Sequence, residues 1–189
     1  NATKLAAATM FTLFFGGRLF APQCTIEGEN IQDYLQRHYL AAVQRLAQRL
    51  AHLPNVLGYD IMNEPLPGYI GWPDLSRHNG LLHQGVTPTP FQAMALGEGL
   101  AQTVEVFETG LLGSRVARRI TIDPQGVRAW RDGYACIWRR HGVWDMDANG
   151  NPRLLRPDYF TQVNGKRVDF GQDCLLPFYR QFVQTVRAV

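Results

Sequence analysis

The sequence has little cysteine, and the cysteines it has stand far apart. Cys24, Cys136 and Cys174 form an odd set without a metal-binding or redox spacing. Buried, reduced thiols of an intracellular protein are the simplest account of such a set. We therefore expect a cytoplasmic location.

Long apolar runs and clusters of positive charge are also missing. No run reaches the roughly 18 apolar residues of a membrane span, and no signal peptide opens the chain, so we expect neither a transmembrane segment nor export. The net charge is +3, and the basic residues, nearly all arginine, never form a run longer than two. This spread predicts a solvated surface and no nucleic-acid partner.

Histidine occurs without the spacing of a metal site. His78, His83 and His141 form no ligand pattern with one another or with a nearby pair of carboxylates. The sequence therefore predicts no metal and no cofactor, and we expect these to be ordinary hydrogen-bonding histidines.

What the sequence does contain is helical periodicity near both ends. The surest helix runs from Asn30, a candidate N-cap, to Leu53. Its apolar stripe consists of Ile31, Leu35, Tyr39, Ala42, Leu46, Leu50 and Leu53. A second helix is predicted from Thr3 to Phe15, ended by Gly16-Gly17, although Phe11, Phe14 and Phe15 could equally form a buried strand. A third is predicted from Asp169 to Val189, with its apolar face formed by Leu175, Phe178, Phe182, Val186 and Val189.

A short apolar run follows the surest helix and ends in a polar tripeptide. Val56 to Met62 is largely apolar on both pleat faces, which is typical of a buried parallel strand. Pro65 cannot donate to a ladder, so the strand should end at Asn63-Glu64-Pro65. Parallel α/β folds place their chemistry at the carboxyl ends of such strands. Asn63 and Glu64 are therefore candidate functional residues, although an isolated Asn-Glu-Pro more often opens a polar loop.

The stretch from Asn55 to Pro65 resembles the fourth-strand motif of glycoside hydrolase family 5, which comprises retaining β-glycosidases built on a TIM barrel. The resemblance implies that Glu64 is the general acid/base and that Asn63 hydrogen-bonds the sugar 2-hydroxyl. It also implies that the chain is α/β and forms part of a (β/α)8 barrel. The family's nucleophile, a glutamate on the seventh strand, has no counterpart in this chain.

Further segments resemble the branch of this family that hydrolyses glucosylceramide and steryl β-glucosides. These segments include residues 8–17, Phe20-Ala21-Pro22, residues 31–35, residues 68–71, residues 89–92, residues 136–138 and residues 141–144. The resemblance implies a glycolipid substrate, a β-glucoside of a ceramide or sterol.

Residues 66–165 are rich in Gly and Pro and predict an insertion that covers the active site. Within it we expect strands at Ile120–Ile122, Tyr134–Trp138 and Leu154-Leu155, and a hairpin turn at residues 147–150. Tyr69 and Trp72 are candidate platforms for sugar or sterol, because they follow Glu64 closely. Trp130, Trp138 and Trp144 are weaker candidates, since most such aromatics pack in a core.

The length of the chain bears on its completeness. A TIM barrel typically needs about 250 residues, and this chain has 189 with one confident barrel strand. We expect residues 1–189 to be a fragment of a single catalytic domain, inactive alone and prone to self-association. A non-catalytic carbohydrate- or lipid-binding module, an endoglucanase and an endoglycoceramidase remain open as alternatives.

Overall fold

The computed structural model describes residues 2–80, 82–111 and 113–189, with side chains from Leu5 onward. Helices lie near the two ends of the chain, and short strands lie in the middle. In chain order the elements are α1 (Ala2–Phe20), β1 (Thr25–Ile26), β2 (Glu29–Asn30), α2 (Ile31–Leu50), β3 (Gly85–Thr87), α3 (Pro90–Gly97), β4 (Gln102–Gly110), β5 (Gly113–Ile122), α4 (Ile137–Arg140), β6 (Trp144–Met146), β7 (Pro152–Leu154), β8 (Gln162–Val163), β9 (Lys166–Arg167) and α5 (Leu176–Arg187). The chain is therefore mixed α/β. Among the helices described, none has the length and apolar character needed to cross a bilayer.

The helix α1 forms where the sequence predicts it but does not end at Gly16-Gly17. It bends at Gly16, where φ is −132° and ψ is 20°, and continues to Phe20. A Cβ at Gly16 would lie 2.8 Å from Ile70 Cδ1. Because Gly16 has no side chain, the side chain of Ile70 can approach α1 closely at the bend. The helix then continues to Phe20, which is buried in the core.

The helix α2 begins at the predicted cap. The Asn30 side-chain oxygen accepts a hydrogen bond from the Gln32 N–H, which satisfies one of the free donors at a helix start. Gln36 donates from its buried side chain to the Phe14 carbonyl at 2.7 Å and ties α2 to α1. Toward its C-terminus the predicted stripe is less buried, and Leu46 is 51% exposed.

The C-terminal helix is confirmed, with a distinctive start. Asp169 accepts from the Gln172 N–H and caps a π-helical turn at Phe170–Leu175, which runs directly into α5. Phe178 and Phe182, on the predicted face of α5, are buried. The rings of Phe14 and Phe178 meet edge to face at 4.9 Å, so α5 packs on α1.

The middle of the chain holds more strand than the sequence predicts. β3, β4 and β5 form an antiparallel sheet, and β4 and β5 are the two arms of a long hairpin. The predicted strand Ile120–Ile122 is only the end of β5. The hairpin β6–β7 confirms the predicted turn, where Asp147 accepts hydrogen bonds from the backbone of Asn149 and Asn151.

Two predicted strands do not form among the described residues. In Tyr134–Trp138, Cys136 and Trp138 are buried and Trp138 lies in the short helix α4, whereas Tyr134 is exposed. Val56 to Met62 forms an irregular segment in which the Leu57 side chain is fully exposed. A parallel strand requires a ladder partner on at least one side, and the described residues provide none for this segment.

The core joins the helical ends to the middle of the chain. Trp138 and Phe160 meet edge to face at 4.9 Å, and the Trp138 Nε1–H donates to the Thr9 hydroxyl of α1 at 3.0 Å. The Tyr159 hydroxyl donates to the Phe20 carbonyl at 2.8 Å. Segments of residues 66–165 therefore pack directly on α1.

Candidate active site

Glu64 lies on an exposed loop whose preceding residues are hydrogen-bonded to α2. The Tyr39 hydroxyl donates to the Ile61 carbonyl, and the Ile61 N–H is held by the Asp60 carboxylate at 2.8 Å. Ile61 is buried, whereas Asn63 and Glu64 are exposed. Asn63 and Glu64 are therefore solvent-exposed residues that directly follow a buried, hydrogen-bonded position, Ile61.

The backbone at Glu64 adopts a left-handed conformation with φ of +46°. Residues other than glycine rarely take this conformation, because Cβ then approaches the following carbonyl. Such outliers cluster at functional sites, where the surrounding structure holds them. Glu27, Gln125 and Asn164 adopt the same conformation, so it does not by itself distinguish Glu64.

After Glu64, the chain is hydrogen-bonded to α1. The Tyr69 N–H donates to the Thr12 hydroxyl at 2.8 Å, and that hydroxyl donates to the Ala8 carbonyl at 2.7 Å. Gly68, with φ of +62°, passes so close to α1 that an added Cβ would lie 2.4 Å from the Ala8 oxygen. This contact fixes where the chain goes after the candidate catalytic segment.

The two predicted aromatic platforms have different environments. Tyr69 is 2% exposed, stacks on Phe160 at 5.3 Å and meets Trp138 edge to face at 5.9 Å. Burial raises the pKa of Tyr69 above its usual value. Tyr69 is therefore a core residue in this structure. Trp72 is half-buried, and its Nε1–H lies 3.2 Å from the carbonyls of Asp74 and Arg77.

A cavity of about 410 Å³ is lined in part by the chain segment that begins at Leu66, although neither Asn63 nor Glu64 is among its lining residues. Its walls are mainly apolar and come from α1, from the loop after Glu64 and from the start of α3. The apolar wall residues include Ala8, Phe11, Leu66, Trp72, Pro88 and Ala93. Cavities of this size and character suit small apolar ligands.

Two histidines border the cavity, and sequence reasoning missed their arrangement. His78 and His83 lie 5.3 Å apart, ring to ring, and both contact Phe107. The His78 Nε2 lies 2.7 Å from the Thr87 carbonyl, so it carries a proton, and its Nδ1 lies 3.6 Å from the Glu105 carboxylate. The sequence holds no signal for this group, because the strand β4 brings Glu105 and Phe107 to the histidines only in the fold.

Other candidates pack in the interior or fail to cluster. Trp138 and Trp144 are fully buried and belong to the core. Of the three cysteines predicted to be buried, Cys136 and Cys174 are buried and Cys24 is half-buried. Burial raises the pKa of Cys174 to about 12. Within the described ranges, no three His, Cys, Asp or Glu side chains lie close enough together to hold a metal ion.

Comparison with known proteins gives close relatives, although no family model matches the chain. It is 39% identical over its whole length to a glucosylceramidase of Rhizopus delemar, of which it covers 28%. It is also 38% identical to an ergosteryl-beta-glucosidase of Saccharomyces cerevisiae, over 90% of this chain and 27% of the relative. A crystal structure of sterylglucosidase 1 from Cryptococcus neoformans superposes with a TM-score of 0.91 and 35% identity, over 99% of this chain and 30% of that one. The chain is thus similar, over nearly all of its length, to less than a third of each of these proteins.

Proposed function

We propose that the chain is part of a retaining β-glucosidase of glycoside hydrolase family 5 that removes glucose from a glucosylated lipid. The observation that carries this proposal is the similarity of nearly the whole chain to proteins named glucosylceramidase, ergosteryl-beta-glucosidase and sterylglucosidase. Glu64 is the proposed general acid/base, and Asn63 is the proposed partner of the sugar 2-hydroxyl.

The surroundings of Glu64 support a lipid as the leaving group. Asn63 and Glu64 are exposed and polar, as recognition of a sugar requires. The cavity lined by Leu66 is mainly apolar, and the side chain of Trp72 in its wall can pack against a flat or extended hydrocarbon. In this arrangement the sugar lies at Glu64 and the ceramide or sterol enters the cavity.

The irregular segment before Glu64 is the proposed fourth strand of a barrel. Its residues are apolar, and Leu57 has no cover within the part of the chain described. Both features fit a strand that pairs with neighbours elsewhere in the whole protein. Residues 66–165 are then the insertion that walls the site.

The mechanism needs two carboxyl groups about 5 to 5.5 Å apart. Glu64, protonated, gives its proton to the oxygen that leaves with the lipid, while the second carboxylate attacks the anomeric carbon and forms a glucosyl ester. Glu64 then takes a proton from water, the water attacks the anomeric carbon, and glucose leaves with its configuration retained. The second carboxylate is proposed to lie outside this chain.

Glu64→Gln in the full-length protein tests the proposal. Loss of a general acid/base costs about 10²- to 10⁴-fold in rate. We expect a loss of this size for an alkyl β-glucoside and a smaller loss for a nitrophenyl β-glucoside, whose leaving oxygen needs less protonation. Steady-state hydrolysis of both substrates measures the difference.

Glu27→Gln is the matched control, because Glu27 is also an exposed glutamate in the left-handed conformation, with φ of +53°. We expect it to retain full activity. Unchanged hydrolysis in the Glu64 variant would reject the catalytic role of Glu64. A wild type that binds but does not hydrolyse the glucosides would favour the carbohydrate- or lipid-binding module.

A further inference from the structure

The hairpin formed by β4 and β5 carries apolar side chains at its free end. Leu111, in the turn between the strands, is fully exposed, and Val116 on β5 is 45% exposed. An exposed leucine at a hairpin tip loses the hydrophobic stabilisation that burial would give it. Neither residue serves the core of this chain.

A second exposed leucine lies beside this tip. The His83 N–H donates to the hydroxyl of Ser114, on β5, at 2.6 Å, which fixes the loop of Leu82 against the hairpin. Leu82 is 79% exposed and also lines the cavity. Leu82, at the cavity, therefore lies on a loop held against the hairpin that carries Leu111 and Val116, and these three residues are the exposed apolar surface of this region.

Positive charge borders the same surface. β5 carries the exposed residues Arg115, Arg118 and Arg119. Arg115 pairs with Glu108 at 3.3 Å and Arg119 with Glu105 at 2.9 Å. Arg118 forms no ion pair with any residue that the structure describes, and its ladder partner is the apolar Val106. Charges on an edge strand also prevent sheet-to-sheet aggregation, but that function does not account for exposed leucines at the tip.

We propose that this hairpin tip docks on the surface of a lipid bilayer that contains anionic lipids. Leu111, Val116 and Leu82 enter the boundary between headgroups and acyl chains, and Arg118 contacts lipid phosphates. The part of the cavity that Leu82 lines then faces the membrane. The statement that a glucosylated lipid passes from the bilayer into the cavity rests on the proposed function, whereas the docking itself does not.

Flotation of the full-length protein with vesicles tests the docking. The vesicles contain phosphatidylcholine, with or without phosphatidylserine. Leu111→Ser removes one buried leucine, so we expect about a tenfold weaker affinity for both vesicle types. Leu111→Trp retains an interfacial side chain and is expected to bind at least as well as the wild type. Leu46→Ser, on α2, removes an equally apolar and half-exposed side chain and is expected to bind normally.

Arg118→Ala measures the electrostatic contribution to vesicle binding separately from the apolar contribution. Each arginine near an anionic membrane surface contributes about fivefold in affinity. We therefore expect the variant to lose about this factor on vesicles with phosphatidylserine and nothing on phosphatidylcholine alone.

Activity measurements separate failure of the docking from failure of the proposed function. Leu111→Ser should hydrolyse a soluble nitrophenyl β-glucoside normally and a glucosylated lipid in vesicles more slowly. A wild type that hydrolyses neither substrate rejects the proposed function, and the flotation result still decides the docking. Equal vesicle binding by wild type and Leu111→Ser overturns the docking. So does loss of thermal stability or of oligomeric state in that variant, because the tip would then be covered by protein.

Discussion

At Gly68 the chain passes closer to α1 than any other residue type allows. The left-handed backbone already excludes most side chains, and an added Cβ would also meet the Ala8 carbonyl and the Thr12 hydroxyl at 2.4 Å. Those two groups belong to the hydrogen-bond chain that holds Tyr69. Gly68 therefore couples the position of the Glu64 loop to the core.

Gly68→Ala is predicted to destabilise the protein more than Gly71→Ala. Both glycines have positive φ, and for each the left-handed backbone costs an alanine about 1–2 kcal/mol. Only Gly68 adds a collision with α1, because a Cβ at Gly71 meets nothing within 4 Å. Overpacking of this kind adds about 1–3 kcal/mol. Urea unfolding measures the difference, and equal losses in the two variants would contradict the contact with α1.

The roles of Glu64 and Asn63 are predicted from a local motif and stay predictions, whereas the environment of the aromatics depends on the fold. Tyr69 and Trp72 are three residues apart in sequence and both border the cavity, yet Tyr69 is buried in the core whereas Trp72 is only half-buried. No local signal separates the two, because burial of an aromatic depends on which distant segments pack over it. The positive φ of Glu64 has no sequence signature either.

At the scale of elements, sequence periodicity predicts α2 and α5, because their apolar residues recur at a helical period over several turns, whereas the apolar run of α1 is also compatible with a strand. The cap at Asn30 is a local signal of the same kind, since its acceptor, Asn30 Oδ1, lies 3.0 Å from the Gln32 N–H. The strand predictions rested on runs of a few apolar residues. Such runs do not determine their own period, and Tyr134–Trp138 became a loop and a helical turn.

Asn30→Ala is predicted to destabilise the protein by about 1 kcal/mol, through the loss of the N-cap of α2. The expected result is a lower free energy of unfolding in urea with an unchanged slope. Asn55→Ala is the control, because Asn55 is exposed in the loop after α2 and is expected to leave stability unchanged. An unaffected Asn30 variant would show that tertiary packing alone defines the helix start.

At the scale of the whole molecule, the chain exposes several large apolar side chains. Leu57, Leu82 and Leu111 are each at least 79% exposed, and surfaces of this kind commonly mark contacts with protein or lipid. Self-association of the isolated chain and its cytoplasmic location stay predictions.

The 189-residue polypeptide expressed alone is predicted to self-associate and to lack β-glucosidase activity. Light scattering should give a mass above 21.4 kDa. The reason is that exposed Leu57 and the unpaired backbone around it can associate with another copy of the chain. Assays with a fluorogenic β-glucoside should give no turnover, because the second carboxylate is absent. A monomer with turnover would contradict both expectations and would require a nucleophile within these residues.

The sequence by itself determined where the helices form, the cap at Asn30 and the residues proposed for catalysis, because periodicity, capping and motif are local properties of the chain. The tertiary structure decided that Tyr69 is buried, that the histidines meet at a cavity and that the loop of Leu82 lies against the hairpin of Leu111. It also decided that Val56–Met62 remains irregular, because a strand exists only where another strand supplies its hydrogen bonds.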